Sequence, residues 1–171
     1  MPSQLRTWGA QVNDLTNPVF FICDYLEIHG PVDPDLMRAA HLRVEREAEA
    51  LRLRIAAEDG GHRQFLRPEP SRLYWLDLSD ESDPRAAALA WIEADVQLPV
   101  EPEQLCSAAL IKTAPDRFLL YRKVHHAVVD GWSLAVIFNR TAAVYSDLAA
   151  DRNSEEGALA PLSCLLESEA A

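Results

Sequence analysis

Tyr121-Arg122-Lys123-Val124-His125-His126-Ala127-Val128-Val129-Asp130-Gly131-Trp132-Ser133 is the stretch on which the reading of the fold turns. Arg117 to His125 reads as a strand. Beyond Ser133, the residues Leu134, Ile137, Phe138, Thr141, Tyr145 and Leu148 recur at helical spacing and predict a helix over 133–149 with one apolar face. Between the two lies a short loop bearing two imidazoles, a carboxylate and a glycine. Loops held by a rigid scaffold are where chemistry concentrates. Neutral imidazole is the natural general base near neutral pH. The Asp130 carboxylate can orient a ring or brace the loop, and Gly131 permits positive φ or close backbone approach.

The stretch offers no nucleophile. There is no GxSxG elbow, and Cys23, Cys106 and Cys164 all lie far from the histidines in sequence. Direct transfer, with histidine assisting an incoming amine or hydroxyl, suits these residues better than a covalent intermediate. Adjacent strand residues point to opposite faces, so His125, His126 and Asp130 do not converge on one ion. No metal site is expected.

Working outward, residues 4–13 predict a short helix with Leu5, Trp8 and Val12 on one side. Val19–Ile28 is rich in β-branched and aromatic residues and reads as a strand, broken by His29-Gly30-Pro31. Asp33 followed by Pro34 marks a helix start. That helix should run to about Ala50, with Leu36, Ala40, Val44 and Ala48 inward. Strands are expected at Leu51–Ala56, Gln64–Arg67 and Leu73–Leu78, the first two joined by the turn Glu58-Asp59-Gly60-Gly61. A second helix over 84–96 carries Leu89, Ile92 and Val96. Cys106–Thr113 and Arg117–His125 form a hairpin across Ala114-Pro115-Asp116. Strands interspersed with helices give an α/β fold, a two-layer sandwich of mixed sheet and helices. The main unit covers 1–150. Residues 151–171 read as a polar linker and a short helix-like segment with no core of its own.

The chain carries 27 acidic and 16 basic side chains, net charge −11, which argues against nucleic acid or an anionic membrane surface as partner. No run approaches the 18 apolar residues of a membrane span. The N-terminus has no apolar signal core, and the odd cysteine number with no CxxC pair suggests a reducing compartment, hence the cytoplasm. The arginines between 38 and 54 read as solvated faces of a helix and strand. Trp8, Trp75 and Trp91 read as packing residues.

The stretch from Tyr121 to Ser133 closely resembles the third core motif, HHxxxDG, of nonribosomal peptide synthetase condensation domains. Ser3-Gln4-Leu5-Arg6-Thr7-Trp8 is similar to the first motif, Glu49 to Ile55 to the end of the second, and Pro161-Leu162-Ser163 to the segment after the first lobe. The Trp-Ser tail differs from the Val-Ser-Trp of epimerisation domains, and heterocyclisation domains replace the histidines by aspartates.

The resemblance implies the N-terminal lobe of a chloramphenicol acetyltransferase-like pseudo-dimer, with the site in a tunnel between lobes. In that tunnel an acceptor amine attacks a donor thioester. Both substrates ride on phosphopantetheine of peptidyl or acyl carrier protein domains, so no cofactor resides in this chain. It also implies that His126 is the base or positions the amine, that His125 is structural, and that Asp130 pairs with an arginine of the other lobe. Gly131 would offer its N–H to the reacting carbonyl. Trp132 and Ser133 are candidate substrate contacts; Trp132 reads equally as a core residue at the helix start.

The second motif usually has Arg-His before its glutamate, where this chain has Glu47-Ala48. The isolated lobe is expected to be inactive without its C-terminal partner, and to form a homodimer through its exposed lobe interface. The alternatives are a non-catalytic docking module for a carrier protein or tailoring enzyme, and an ester-forming acyltransferase of the same superfamily.

Overall fold

A computed structural model describes residues 2–58, 61–153 and 159–164. In chain order it has helix α1 (Pro2–Gln11), strand β1 (Phe21–His29), helix α2 (Pro34–Glu47), a 3-10 turn (Glu49–Arg52), strands β2 (Leu53–Glu58), β3 (Gly61–Leu66) and β4 (Leu73–Asp77), helix α3 (Pro84–Val96), strands β5 (Cys106–Ala114) and β6 (Arg117–His125), and helix α4 (Gly131–Ala149).

Aspartates start three of the helices. Asp33 accepts from the amides of Asp35 and Leu36, with Pro34 in the first turn. Asp83 accepts from Ala86 ahead of α3, again with proline following. Asp130 does the same for α4 through Ser133. Each side chain satisfies an amide that a helix start leaves open. Gly30 adopts φ 127°, the left-handed geometry that ends β1 so abruptly.

Four strands form one mixed sheet in the order β1-β6-β5-β4; β4 runs parallel to β5, and the other pairs are antiparallel. β2 and β3 make a separate hairpin. Side chains alternate across β6. Phe118, Leu120 and Val124 join the larger core with Met37, Ala40 and Val44 of α2 and Leu134, Ile137 and Phe138 of α4. Leu119 and Tyr121 face the other way, onto Ala88 and Ile92 of α3. The expected mixed sheet packed by helices is borne out, with α3 as one helix added on the far face.

Several details differ from expectation. Val12 is exposed and Gln11 takes the buried place on α1; Leu5's side chain lies outside the described residues. α2 ends at Glu47, because Ala48 leaves helical geometry at φ −91°, ψ 81° and a 3-10 turn then drops Leu51 fully into the core. Ala40 and Val44 are buried as expected, and so is Ala48 just past the end of α2; Met37, His41 and Glu45 are buried as well, while Leu36 is half-buried. Asp59-Gly60 of the expected turn, the linker 154–158 and residues 165–171 lie outside the described residues. Leu159 and Leu162 pack on the larger core, and the Leu162 amide donates to Glu49 at 2.8 Å.

β6 buries two cations, one to each face. Arg122 reaches α2, where Nη1 lies 3.0 Å from Glu45 and Nη2 lies 3.0 Å from His41 Nδ1. Glu45 also accepts from the Ser71 amide at 3.1 Å. Lys123 reaches α3, with Nζ 3.4 Å from the Asp95 carboxylate and 4.6 Å from the Phe21 ring centre. The Tyr121 hydroxyl donates to the same carboxylate at 2.8 Å. Buried charges persist only when paired in this way.

Candidate active site

His125 closes β6 and is fully buried. Trp8 and Phe21 meet its ring edge-on, with centroids 5.7 and 5.3 Å away. Its Nδ1 accepts from the Ala127 amide at 3.1 Å, and its Nε2 lies 3.1 Å from Gln11 Oε1. Burial, helped by the neighbouring His126, lowers its pKa to about 4, so the ring is neutral at pH 7.

His126 is exposed, and its amide donates to the Phe20 carbonyl at 2.7 Å. His126 is the first residue beyond β6, and the turn there leaves its ring outside while His125 stays inside. Among the described residues no group of three or more His, Cys, Asp or Glu could hold a metal ion.

Asp130 Oδ1 accepts from the Ser133 amide at 2.7 Å. The Ser133 hydroxyl and amide together hold the Asp130 carboxyl below the usual range. Within this chain, then, Asp130 is the α4 cap, and Ser133 commits its polar groups to that carboxylate. Gly131 opens α4 and does not adopt positive φ; a Cβ there would meet nothing within 4 Å. Neither strain nor crowding inside this chain calls for glycine at 131; its open side faces outward. Trp132 is 81% exposed, which overturns its reading as a core residue. His126, Asp130, Gly131 and Trp132 therefore share the surface, and His125 lies beneath them.

A recess of about 260 Å3 lies against the same loop, walled by Ala50, Val129, Ser133, Val136, Ile137 and Leu162. Glu47, at the position where the second motif usually has arginine, receives two hydrogen bonds from Arg140 of α4 at 2.8 and 2.9 Å. The substitution gives α2 a charged tie to α4. Of the tryptophans read as packing residues, Trp8 is buried, Trp91 meets Tyr121 edge-on, and Trp75 is exposed although it leans on Phe118.

Sequence reasoning missed Gln11 and the buried pair Glu45–Arg122. Gln11 stands three residues after Trp8, on the same helical face, and that spacing was the available signal. Arg122 sits between two apolar strand residues, on the face its neighbours Leu120 and Val124 bury.

The family model for the condensation domain matches residues 1–163. The chain is 34% identical over 170 residues to the dimodular nonribosomal peptide synthase of Bacillus subtilis (strain 168), covering 98% of this chain and 7% of that protein. It is 33% identical to the isonitrile lipopeptide synthase of Streptomyces coeruleorubidus, covering 86% and 10%. Among solved structures, the starter condensation domain of rhizomide synthetase superposes with TM-score 0.93 at 37% identity, over 99% of this chain and 44% of that one. The first condensation domain of the calcium-dependent antibiotic synthetase superposes with TM-score 0.88 at 29% identity, over 98% and 41%. This chain belongs to the condensation-domain family and corresponds to the N-terminal portion of such a domain. It spans less than half of the solved condensation domains it matches. No helix among the described residues is long and apolar enough to cross a membrane.

Proposed function

We propose that this chain supplies the histidine-bearing half of an amide-forming site. The acceptor amine nitrogen attacks the donor thioester carbonyl, the C–S bond breaks, and the amine proton leaves by way of His126 as the freed thiol forms. His126 either takes that proton or aims the amine. Both substrates arrive on phosphopantetheine arms of carrier protein domains, and the chain needs no cofactor of its own. The carrying observation is the division of labour in the motif: His126 is presented at the surface while His125 is locked beneath it.

The second half of the site is the C-terminal lobe. Support comes from α4, whose outer face of Trp132, Ala135, Val136, Asn139, Ala142 and Ala143 is exposed and bears no charge. Alone, the chain uses the same face to pair with a second copy; light scattering that shows a monomer over a wide concentration range would refute this. Three cysteines without a disulfide suit a cytoplasmic setting.

A double mutant of the starter domain of rhizomide synthetase has been solved with C8-CoA and Leu-SNAC, which makes a C8 acyl donor and a leucyl acceptor the first pair to try. The experiment compares amide formation by this chain, by the separately expressed second lobe, and by the mixture. Activity only on mixing supports the proposal; turnover by the chain alone sinks it. In the two-lobed enzyme His126→Ala should lower turnover roughly 100-fold or more, to a residual but measurable rate, and an undiminished rate would instead favour a docking role.

A further inference from the structure

Gln11 makes a directional chain with His125 that ends at the backbone beside His126. Its side-chain NH2 donates to the carbonyls of Asp14 at 2.6 Å and Asn17 at 3.0 Å. Those two acceptors fix which end of the amide is oxygen. Oε1 therefore faces His125 Nε2, 3.1 Å away, and can only accept. On the other side of the ring, Nδ1 meets the Ala127 amide at 3.1 Å and must accept too. One tautomer satisfies both ends: the proton sits on Nε2. Gln11 is 1% exposed and His125 is fully buried, so water does not compete for these bonds.

We propose that Gln11 is a positioning residue for His126: through the His125 ring it holds the Ala127 amide, and with it the direction in which the His126 imidazole points. The amide of His126 is pinned to the Phe20 carbonyl and that of Ala127 to the His125 ring, so residue 126 is clamped on both sides. Its side chain is left to face outward. A neutral ring is required, since a second proton on Nδ1 would confront the Ala127 N–H. The inference rests on the reading that His126 serves the reacting amine.

The test has two arms. Imidazole 15N spectra of the 171-residue chain should show His125 protonated on Nε2 and bare on Nδ1. Gln11→Met removes the acceptor, together with the donors to the Asp14 and Asn17 carbonyls, at nearly constant shape; it should let the other tautomer appear and speed Ala127 amide exchange about tenfold, the worth of one buried hydrogen bond, while Leu120 within β6 is unaffected. Gln11→Glu loses the same two donors but keeps an acceptor toward His125, so a restored Nε2–H signal in that variant assigns the effect to the acceptor; the wild-type tautomer measurement stands whether or not either variant folds. An Nδ1–H wild type, or unchanged Ala127 exchange in a folded Gln11→Met chain, overturns the proposal. In the two-lobed enzyme Gln11→Met should lower kcat about tenfold with little change in KM, and nothing further when added to His126→Ala. An equal loss in both backgrounds also overturns it. Full activity of His126→Ala alone would instead remove the reading of the reaction, leaving the tautomer and exchange results standing.

Discussion

His41 and His125 are both held neutral inside the fold, each with a pKa lowered to about 4 from 6.5, chiefly by burial. Arg122 adds to the effect on His41. Between pH 6.5 and 4 the unfolded chain binds protons that the folded one refuses. Stability contributed by these rings is therefore complete above about pH 6.5 and drains as pH falls toward 4. Chemical denaturation at pH 7 and at pH 4.5 should differ by on the order of 2 kcal/mol per ring. Replacing His41 with Gln should flatten part of that slope. The Glu45–Arg122 pair sets a second expectation: Glu45→Ala strands a buried guanidinium and should cost about 3–5 kcal/mol. Asp130→Ala, by contrast, removes only a cap and should cost about 1 kcal/mol in thermal unfolding of this chain. A far larger loss of turnover in the two-lobed enzyme would show that Asp130 has a further partner there.

Helix starts were legible in the sequence because aspartate and proline write them locally: Asp33-Pro34 and Asp83-Pro84 both stand where the chain turns into helix. The β5–β6 hairpin was equally plain, its turn signal lying between two apolar runs. Ends governed by tertiary demands were not. α2 stops at Glu47 because Leu51 must reach the core, a requirement invisible in helical periodicity. Within the site, His126, Asp130 and Gly131 could be named from their motif. Gln11 could not: its spacing from Trp8 marks it as facing inward, but its partner stands 114 residues away and nothing local names it. The tie between Glu47 and Arg140 was hidden in the same way, spanning two helices 93 residues apart. Glu47→Gln should weaken the α2–α4 contact by about 1 kcal/mol, and Arg140→Ala should add little in that background. A double-mutant cycle on denaturation midpoints reads this directly.

At the scale of the molecule, the sheet is covered on both faces but the outer side of α4 is not. Val136→Glu should leave the chain folded, since Val136 contributes to that exposed face, and, on the function proposed above, should disrupt both the proposed self-association and the proposed pairing with a second lobe. Sedimentation of the variant, alone and mixed with that lobe, checks both.

The pairing of β1 with β6 sets Phe21 opposite His125, about a hundred residues downstream. β5 and β6 are neighbours in the chain, so their hairpin can close early, whereas β1 must wait for a long loop to be gathered. On a ribosome β1 emerges well before β6, the strand it pairs with, so it cannot take its place in the sheet until β6 is made, and it is β1 whose approach delivers the Phe20 carbonyl to His126. The bonds that hold the motif thus join its two histidines to residues about a hundred positions upstream, so the site can be completed only after both ends of that stretch have been synthesised and brought together.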